Sequence, residues 1–267
     1  RELRRSDGFP TNAIHGWVKT LWYLMDRDDC DRLIVFFDLG ADEREQLLPE
    51  YKKNRAETPP ELEQQVPHIR KLTEFMGIDR IERQGVEADD LIASYAAQFA
   101  SAENPVMMVS ADKDLGQCIN ANVSQLLPPP TANPRLGWRV LDPQKLREKT
   151  GVGPEQIAEY LALVGDSSDN IPGLKGVGPK TAVKWLQEYG SLETIIEKTN
   201  YLHPPRFQSL VAQSKDILAR NLQLTRLTLS HEVPEVSDAT PQPAALRARL
   251  LELEMKRTAE EVDKRFG

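Results

Sequence analysis

Apolar residues Ile14, Trp17, Val18, Leu21, Trp22 and Met25 recur at the spacing of a helix with one buried stripe. Leu33-Ile34-Val35-Phe36-Phe37 is a short continuous apolar run and predicts a buried strand, with Asp38 at its carboxyl end. The stretch from 41 to 60 is polar and poor in core residues, so an exposed helical or mobile excursion is expected there. A helix is predicted over 61–76, closed by Gly77, and another over 88–100 with Leu91, Ile92, Tyr95, Ala96 and Phe99 as its stripe. Pro105-Val106-Met107-Met108-Val109 reads as a second buried strand, followed by Asp112 and Asp114, and 122–127 as a third. Strands alternating with helices imply an α/β fold with a mainly parallel sheet covered on both faces.

Pro128-Pro129-Pro130 opens a loop that runs to about Arg139. Beyond it strand signals nearly vanish, and helices are predicted over 143–149, 154–164, 179–189, 191–198 and 215–222. A domain boundary is therefore placed near residue 140, separating an α/β part, 1–140, from an all-α part, 141–267. No internal repeat is visible.

A chain of 267 residues suffices for one large domain or two modest ones. No apolar run approaches the roughly 20 residues that span a bilayer, and the first residues hold no signal-peptide core, so no membrane partner is expected. The two cysteines, Cys30 and Cys118, are far apart, which argues against a disulfide framework and for a reducing cytoplasm. The four histidines have no metal-ligand spacing, which disfavours zinc. A net charge of −7 argues on its face against a nucleic-acid partner. A protein that collects hard cations also needs many carboxylates, so the total decides nothing alone.

The carboxylates change the picture. In open α/β sheets, ligands sit beyond the carboxyl ends of strands, where Asp38, Asp112 and Asp114 fall. Glu87-Ala88-Asp89-Asp90 opens a helix, and Asp166 and Asp169 lie between two helical runs. Mg2+ takes oxygen ligands, and a pair of such ions can activate water and stabilise the leaving oxygen of a phosphodiester. Each segment alone is weak evidence, since acids suit the first turn of any helix and Asp-x-Asp after a strand is often only a turn. Four segments in a consistent arrangement are stronger.

Ile171-Pro172-Gly173-Leu174-Lys175-Gly176-Val177-Gly178-Pro179-Lys180-Thr181-Ala182 is the most informative stretch. Gly-Val-Gly and a proline lead into a helix N-terminus whose backbone N–H groups can hold a phosphate, and Lys175, Lys180 and Lys184 add charge. With Gly176, Gly178 and Thr181 they are candidate DNA contacts in a helix-hairpin-helix element, which grips a backbone without reading bases. A nucleotide-binding P-loop would place a lysine directly after the second glycine, but Pro179 stands there and no buried strand precedes the loop. Tyr51-Lys52-Lys53-Asn54-Arg55 lies in the polar excursion: Lys52 and Arg55 can clamp a phosphate and Tyr51 can stack on a base, although a solvated surface run has the same composition.

Val35 to Asp38, Tyr51 to Arg55, Glu87 to Asp90, Ala111-Asp112-Lys113-Asp114, Gly165 to Asn170 and the hairpin, in this order and spacing, resemble the 5′-nuclease family over nearly the whole chain. That family includes the 5′–3′ exonuclease domain of bacterial DNA polymerase I, free-standing 5′–3′ exonucleases and flap endonucleases. The resemblance implies a PIN-like catalytic domain with a helical arch, here about 41–60, followed by a helix-hairpin-helix domain. It implies that Asp38, Glu87, Asp89, Asp90 and Asp112 surround one Mg2+ and that Asp114, Asp166 and Asp169 belong to a second, with Mn2+ as a substitute. It gives Lys52 and Arg55 the scissile phosphate and Tyr51 the ordering of DNA. It further implies K+ held in the hairpin by the backbone carbonyls of Leu163, Val164, Pro172, Leu174 and Val177. Family members begin with a strand carrying a further aspartate. The chain starts at Arg1, after the place expected for it, and Asp7 in Ser6-Asp7-Gly8 is not counted as its substitute.

The function this implies is metal-dependent hydrolysis of DNA near 5′ ends, flaps or nicks, by a monomer. An inactive structure-specific DNA-binding module and a PIN-type RNA nuclease are the alternatives. Cleavage, and a comparison of RNA with DNA, separate them.

Overall fold

The computed structural model describes residues 3–236 and 239–266. Along the chain come α1 (Asn12–Met25), β1 (Ile34–Phe37), α2 (Asp42–Leu47), α3 (Pro60–Glu63), α4 (Val66–Phe75), β2 (Asp79–Glu82), α5 (Ala88–Phe99) and β3 (Val106–Val109). A 3-10 turn, Asp114–Cys118, precedes β4 (Val123–Leu127), β5 (Arg139–Leu141), α6 (Pro143–Thr150), α7 (Ile157–Val164), β6 (Gly165–Asp166) and β7 (Ile171–Pro172). Then follow α8 (Pro179–Tyr189), α9 (Leu192–Glu197), α10 (Gln208–Gln213), α11 (Lys215–Thr225), α12 (Pro243–Glu252) and α13 (Lys256–Phe266). By contacts the chain divides into two compact units, one of residues 1–37, 56–82 and 234–267, the other of 38–55 and 83–233.

In the first unit Ile14, Val18, Leu21 and Trp22 of α1 share a core with Ile69 and Leu72 of α4, Leu246 and Leu250 of α12, and Val262 of α13. β1 pairs in parallel with β2. Three of the four β2 residues are charged and only Ile81 is buried, which is how a short edge strand looks and why periodicity alone passes over it. The helix expected over 61–76 is broken at Gln64 and Gln65. The break lets the Gln65 side chain accept hydrogen bonds from the N–H groups of Ala13 (2.9 Å) and Ile14 (3.1 Å), at the start of α1, where Thr11 supplies no side-chain cap.

In the second unit β3 and β4 are parallel, and β5, which falls just past the predicted loop, adds to β4 antiparallel. The strands thus sit in separate small sheets rather than one. Leu115, Ile119, Leu161, Leu163, Trp185, Leu186 and Leu218 lie in one apolar core, to which the 3-10 turn, α7, α8 and α11 all contribute. Asn221, fully buried on α11, donates to the carbonyls of Ala162 (3.2 Å) and Pro172 (2.7 Å), tying α7 to β7. β6 and β7 are a two-residue antiparallel pair. At Gly173 a Cβ would run into the backbone of Val164, and Gly165 stands at φ +78, so glycine is required on both sides of that close approach. The loop carrying Asp166 and Asp169 is closed by this contact.

Candidate active site

All eight predicted carboxylates fall in the second unit. Asp38 follows β1, and its side chain accepts the N–H of Gly40 at 3.1 Å. Backbone bonds between Leu39 and both Gly85 (2.8 Å) and Val86 (3.4 Å) continue in the extended manner of a strand and carry Asp38 toward α5. Glu87 occupies the N-cap of α5 with extended backbone, and Asp89 and Asp90 lie in its first turn, where the helix dipole favours negative charge. Beyond β3, the Asp112 side chain accepts the N–H of Asp114 at 2.9 Å, and the Asp112 carbonyl accepts from Gln125 at 2.5 Å. Asp166 accepts the N–H of Ser168 at 2.9 Å, closing the turn that presents Asp169.

Two clusters emerge. Asp114, Asp166 and Asp169 each place a carboxylate oxygen within 4.8 Å of the others. These are the three residues for which the family resemblance implies a second metal. Asp166 and Asp169 are buried, and one oxygen of Asp114 is buried with no hydrogen-bond partner. A buried acceptor without a partner, on a residue that meets two further carboxylates, fits a hard cation that takes oxygen ligands. The other cluster centres on Asp89, which feels the negative charges of Asp112, Glu87 and Asp38.

Basic side chains occupy the gaps between the acids. Lys52 pairs with Glu87, and Arg55 donates to Asp169 at 2.5 Å. Lys52 has a left-handed backbone at φ 54, uncommon for a residue with a Cβ, and its N–H donates to the Asp169 carbonyl at 3.0 Å. Asn54 donates to the carbonyl of Ser167 (2.6 Å), Arg55 to that of Ser168 (3.2 Å), and Asn170 to that of Glu50 (2.7 Å), so segment 50–55 is stapled along loop 167–170. Tyr51 is 5% exposed and packs with Ala41, Ile171 and Leu224. Its hydroxyl lies 3.2 Å from both Glu87 and Asp169, which leaves no open ring face for a base.

Sequence reasoning missed three residues. Arg44, buried in the short helix α2, donates to Glu87 (2.6 Å) and forks onto Asp90, whose other oxygen is 2.9 Å away. Asp90, which also accepts the N–H of Thr228 at 2.8 Å, is thus fully engaged by protein groups. Lys113 reaches Asp166 at 2.6 Å. Gln125, 1% exposed, pins the loop after β3. Its only signal was a polar side chain next to Ser124 inside the predicted strand; Arg44 and Lys113 gave none that separates them from surface charge.

Burial first, then the negative charge of Asp112, pushes the Asp89 carboxyl up to about 7, and the same two causes push Asp114 up to about 7. Burial opposes ionisation of Asp166 as well, but Lys113 and Ser168 outweigh it and hold that carboxyl below its ordinary range. Burial pushes the Tyr51 hydroxyl well above the phenol range, reinforced by Glu87. The sign for Asp89 follows from linkage. Unfolded, it titrates near 3.8; folded and metal-free, near 7. The fold binds the extra proton between those values, so this group's favourable contribution is complete below 3.8 and is lost as pH rises through 7. Asp89→Asn should therefore raise the melting temperature of the metal-free protein at pH 8 and raise it clearly less at pH 5, where only part of the contribution has been lost. Equal effects at both, measured in EDTA, would show that Asp89 does not carry the repulsion.

The hairpin lies between β7 and α8. Gly176 turns it at φ +80 over the ring of Phe207, and Gly178 caps α8 with Pro179 at the first helical position. Lys175, Lys180 and Lys184 are exposed, with Gly176, Gly178 and Thr181 among them. Leu163 and Val164 end α7, while Pro172, Leu174 and Val177 line the hairpin. The carbonyls of Leu163 and Leu174 already accept N–H groups at 2.9 and 3.0 Å.

Carboxylates from strand ends, a helix start and a distant loop, interleaved with basic side chains and flanked by a lysine-bearing hairpin, define a polyacidic nuclease. The chain belongs to the 5′–3′ exonuclease family: the model of its N-terminal resolvase-like domain matches residues 1–151 and that of its C-terminal SAM fold matches 152–246. It is 37% identical to a 5′–3′ exonuclease of Aquifex aeolicus, over 99% of this chain and 89% of that one. It is also 37% identical to the thermostable DNA polymerase I of Thermus aquaticus, over 94% of this chain but only 29% of the polymerase. In fold it is similar to a bacteriophage T5 flap endonuclease solved in a pseudo-enzyme-product complex with DNA and metal ions, at a TM-score of 0.67 and 22% identity, covering 94% of this chain and 89% of that one. Among the described residues, no helix is long and apolar enough to cross a membrane.

Proposed function

We propose that the protein hydrolyses DNA phosphodiester bonds near 5′ ends, flaps and nicks, using two Mg2+ ions for which Mn2+ can substitute. The observation that carries this is the cluster of Asp114, Asp166 and Asp169 with its unpartnered buried oxygen. In the proposal these three hold one ion, while Asp38, Glu87, Asp89 and Asp112 surround the other. Asp90, already engaged by Arg44, anchors that second group. Bound divalent cations lower the pKa of water and neutralise charge developing on the phosphodiester.

The chain's own groups do the rest. Lys52 and Arg55, beside the carboxylates, turn to the scissile phosphate and stabilise the negative charge that grows on it. Tyr51 braces Glu87 and Asp169 from behind. Lys175, Lys180 and Lys184, with the backbone at Gly176, Gly178 and Thr181, hold the duplex by its phosphates, so sequence preference is weak. The carbonyls of Leu163, Val164, Pro172, Leu174 and Val177 are the proposed K+ ligands; they belong to the end of α7 and to the hairpin segment. Functionally we divide the chain into a catalytic part, 1–140, with its arch at 41–60, and a helical DNA-holding part, 141–267. This division follows element type and cuts across the contact-defined units. A monomer suffices, since every proposed site residue comes from one chain. A cytoplasmic setting suits the DNA substrate and the two free cysteines.

A labelled 5′-flap duplex incubated with Mg2+ should be cut near the junction, and EDTA should stop the reaction. Equal cleavage in both would end the metal mechanism. Binding without cleavage would leave a DNA-binding module.

A further inference from the structure

Lys113 stands between Asp112 and Asp114 in the chain, yet its ammonium reaches across to the distant loop. It lies 2.6 Å from Asp166, 3.5 Å from the Ser168 hydroxyl and 3.8 Å from Asp114. It therefore bridges two of the three carboxylates in the cluster of Asp114, Asp166 and Asp169. The contact to Asp166 is a charge-assisted hydrogen bond; the one to Asp114 is too long to be one, and that oxygen stays without a partner. The burial is asymmetric. The Asp166 side chain is 4% exposed and that of Asp114 14%, whereas that of Lys113 is 49% exposed. The acids are fixed by their surroundings, while the cation sits on a flexible four-carbon stem with water on one side. Lys52 meets Glu87 and Arg55 meets Asp169, so among the described residues Lys113 is the cation paired with Asp166.

We propose that Lys113 is a tethered counter-ion for this cluster: it neutralises Asp166 and Asp114 while no metal is bound, and swings out toward solvent when a divalent cation takes its place. The inference rests on the metal site proposed above. An ammonium and a divalent ion drawn to the same carboxylates repel each other, so Lys113 competes with the metal. It also keeps two buried like charges from repelling each other before loading. Removing it should thus tighten metal binding and loosen the metal-free fold, two effects of opposite sign. A merely structural lysine would give only the second.

The test is calorimetric titration of Mn2+ into the full chain without DNA, for the wild type, Lys113→Met and Lys113→Arg, together with their melting curves in EDTA. Lys113→Met should bind Mn2+ roughly tenfold more tightly, a size that allows for the half-exposed position of the lysine. It should also melt lower than the wild type in EDTA. Lys113→Arg keeps the charge and should stay near wild type in both measurements. Wild-type binding with no tightening in Lys113→Met overturns the counter-ion role while leaving the metal site intact. No Mn2+ binding by the wild type overturns the metal site and the counter-ion role with it.

Discussion

Asp112→Asn is expected to reduce DNA cleavage by a factor on the order of a thousand, the scale of losing one charged group that stabilises a transition state, while DNA binding stays within a few-fold of wild type. Asp112 is the carboxylate felt by both clusters: after burial, its charge is the largest cause of the raised pKa of both Asp89 and Asp114. Removing it weakens both proposed ion sites. Binding should survive because Lys52, Arg55 and the hairpin lysines are untouched. The substitution keeps the local turn, since an asparagine oxygen can still accept the Asp114 N–H that Asp112 accepts at 2.9 Å. Stability should move the opposite way. With one of three neighbouring negative charges gone, the metal-free protein should melt a few degrees higher, about what 1 kcal/mol produces in a domain of this size. Flap cleavage and a melting curve in EDTA check the pair. Cleavage within tenfold of wild type would remove Asp112 from the site.

Arg44→Met should have the largest effect on stability. Arg44 is 9% exposed, and both its carboxylate partners, Glu87 and Asp90, are 3% exposed. It also donates to the carbonyls of Leu224 (2.9 Å) and Arg226 (3.2 Å). Burial works against its charge, but Asp90 and Glu87 outweigh that and hold the guanidinium firmly protonated. Without it two buried carboxylates lose their compensating charge, a situation that costs about 3–5 kcal/mol. Arg44→Lys should recover little, because a single ammonium cannot reach two carboxylates and two carbonyls in the planar fork that arginine provides. Urea unfolding of the metal-free proteins measures this. A loss below about 1 kcal/mol for Arg44→Met would mean that Glu87 and Asp90 find other partners or become protonated.

Elements with a strong apolar period were legible from the chain alone. α1, α5, β3, β4, α7 and α8 lie where the pattern places them, because burying one stripe or one run is a local requirement. β2 was not legible, since an edge strand with one buried residue carries almost no apolar signal. Nor was the break at Gln65, whose reason is a cap that it supplies to a helix 51 residues earlier in the chain. Within the site, the positions of the acids were readable because strand ends and helix starts are local features. The burial of Tyr51 was not, since a tyrosine among lysines and arginines has the composition of an exposed segment. Its burial depends on Ile171 and Leu224, far along the chain.

The amino-acid sequence by itself determined the family, the α/β character followed by helices, and the set of carboxylates available to metal, because motif order and periodicity are written in neighbouring residues. Only the tertiary structure decided how those acids are held and which cations join them. Asp114 joins Asp166 and Asp169 through the close backbone approach at Gly165 and Gly173, Asp90 is taken by Arg44, and Lys113 sits among the acids. These pairings are set by long-range packing and by the need to compensate buried charge, and neither leaves a mark on local spacing.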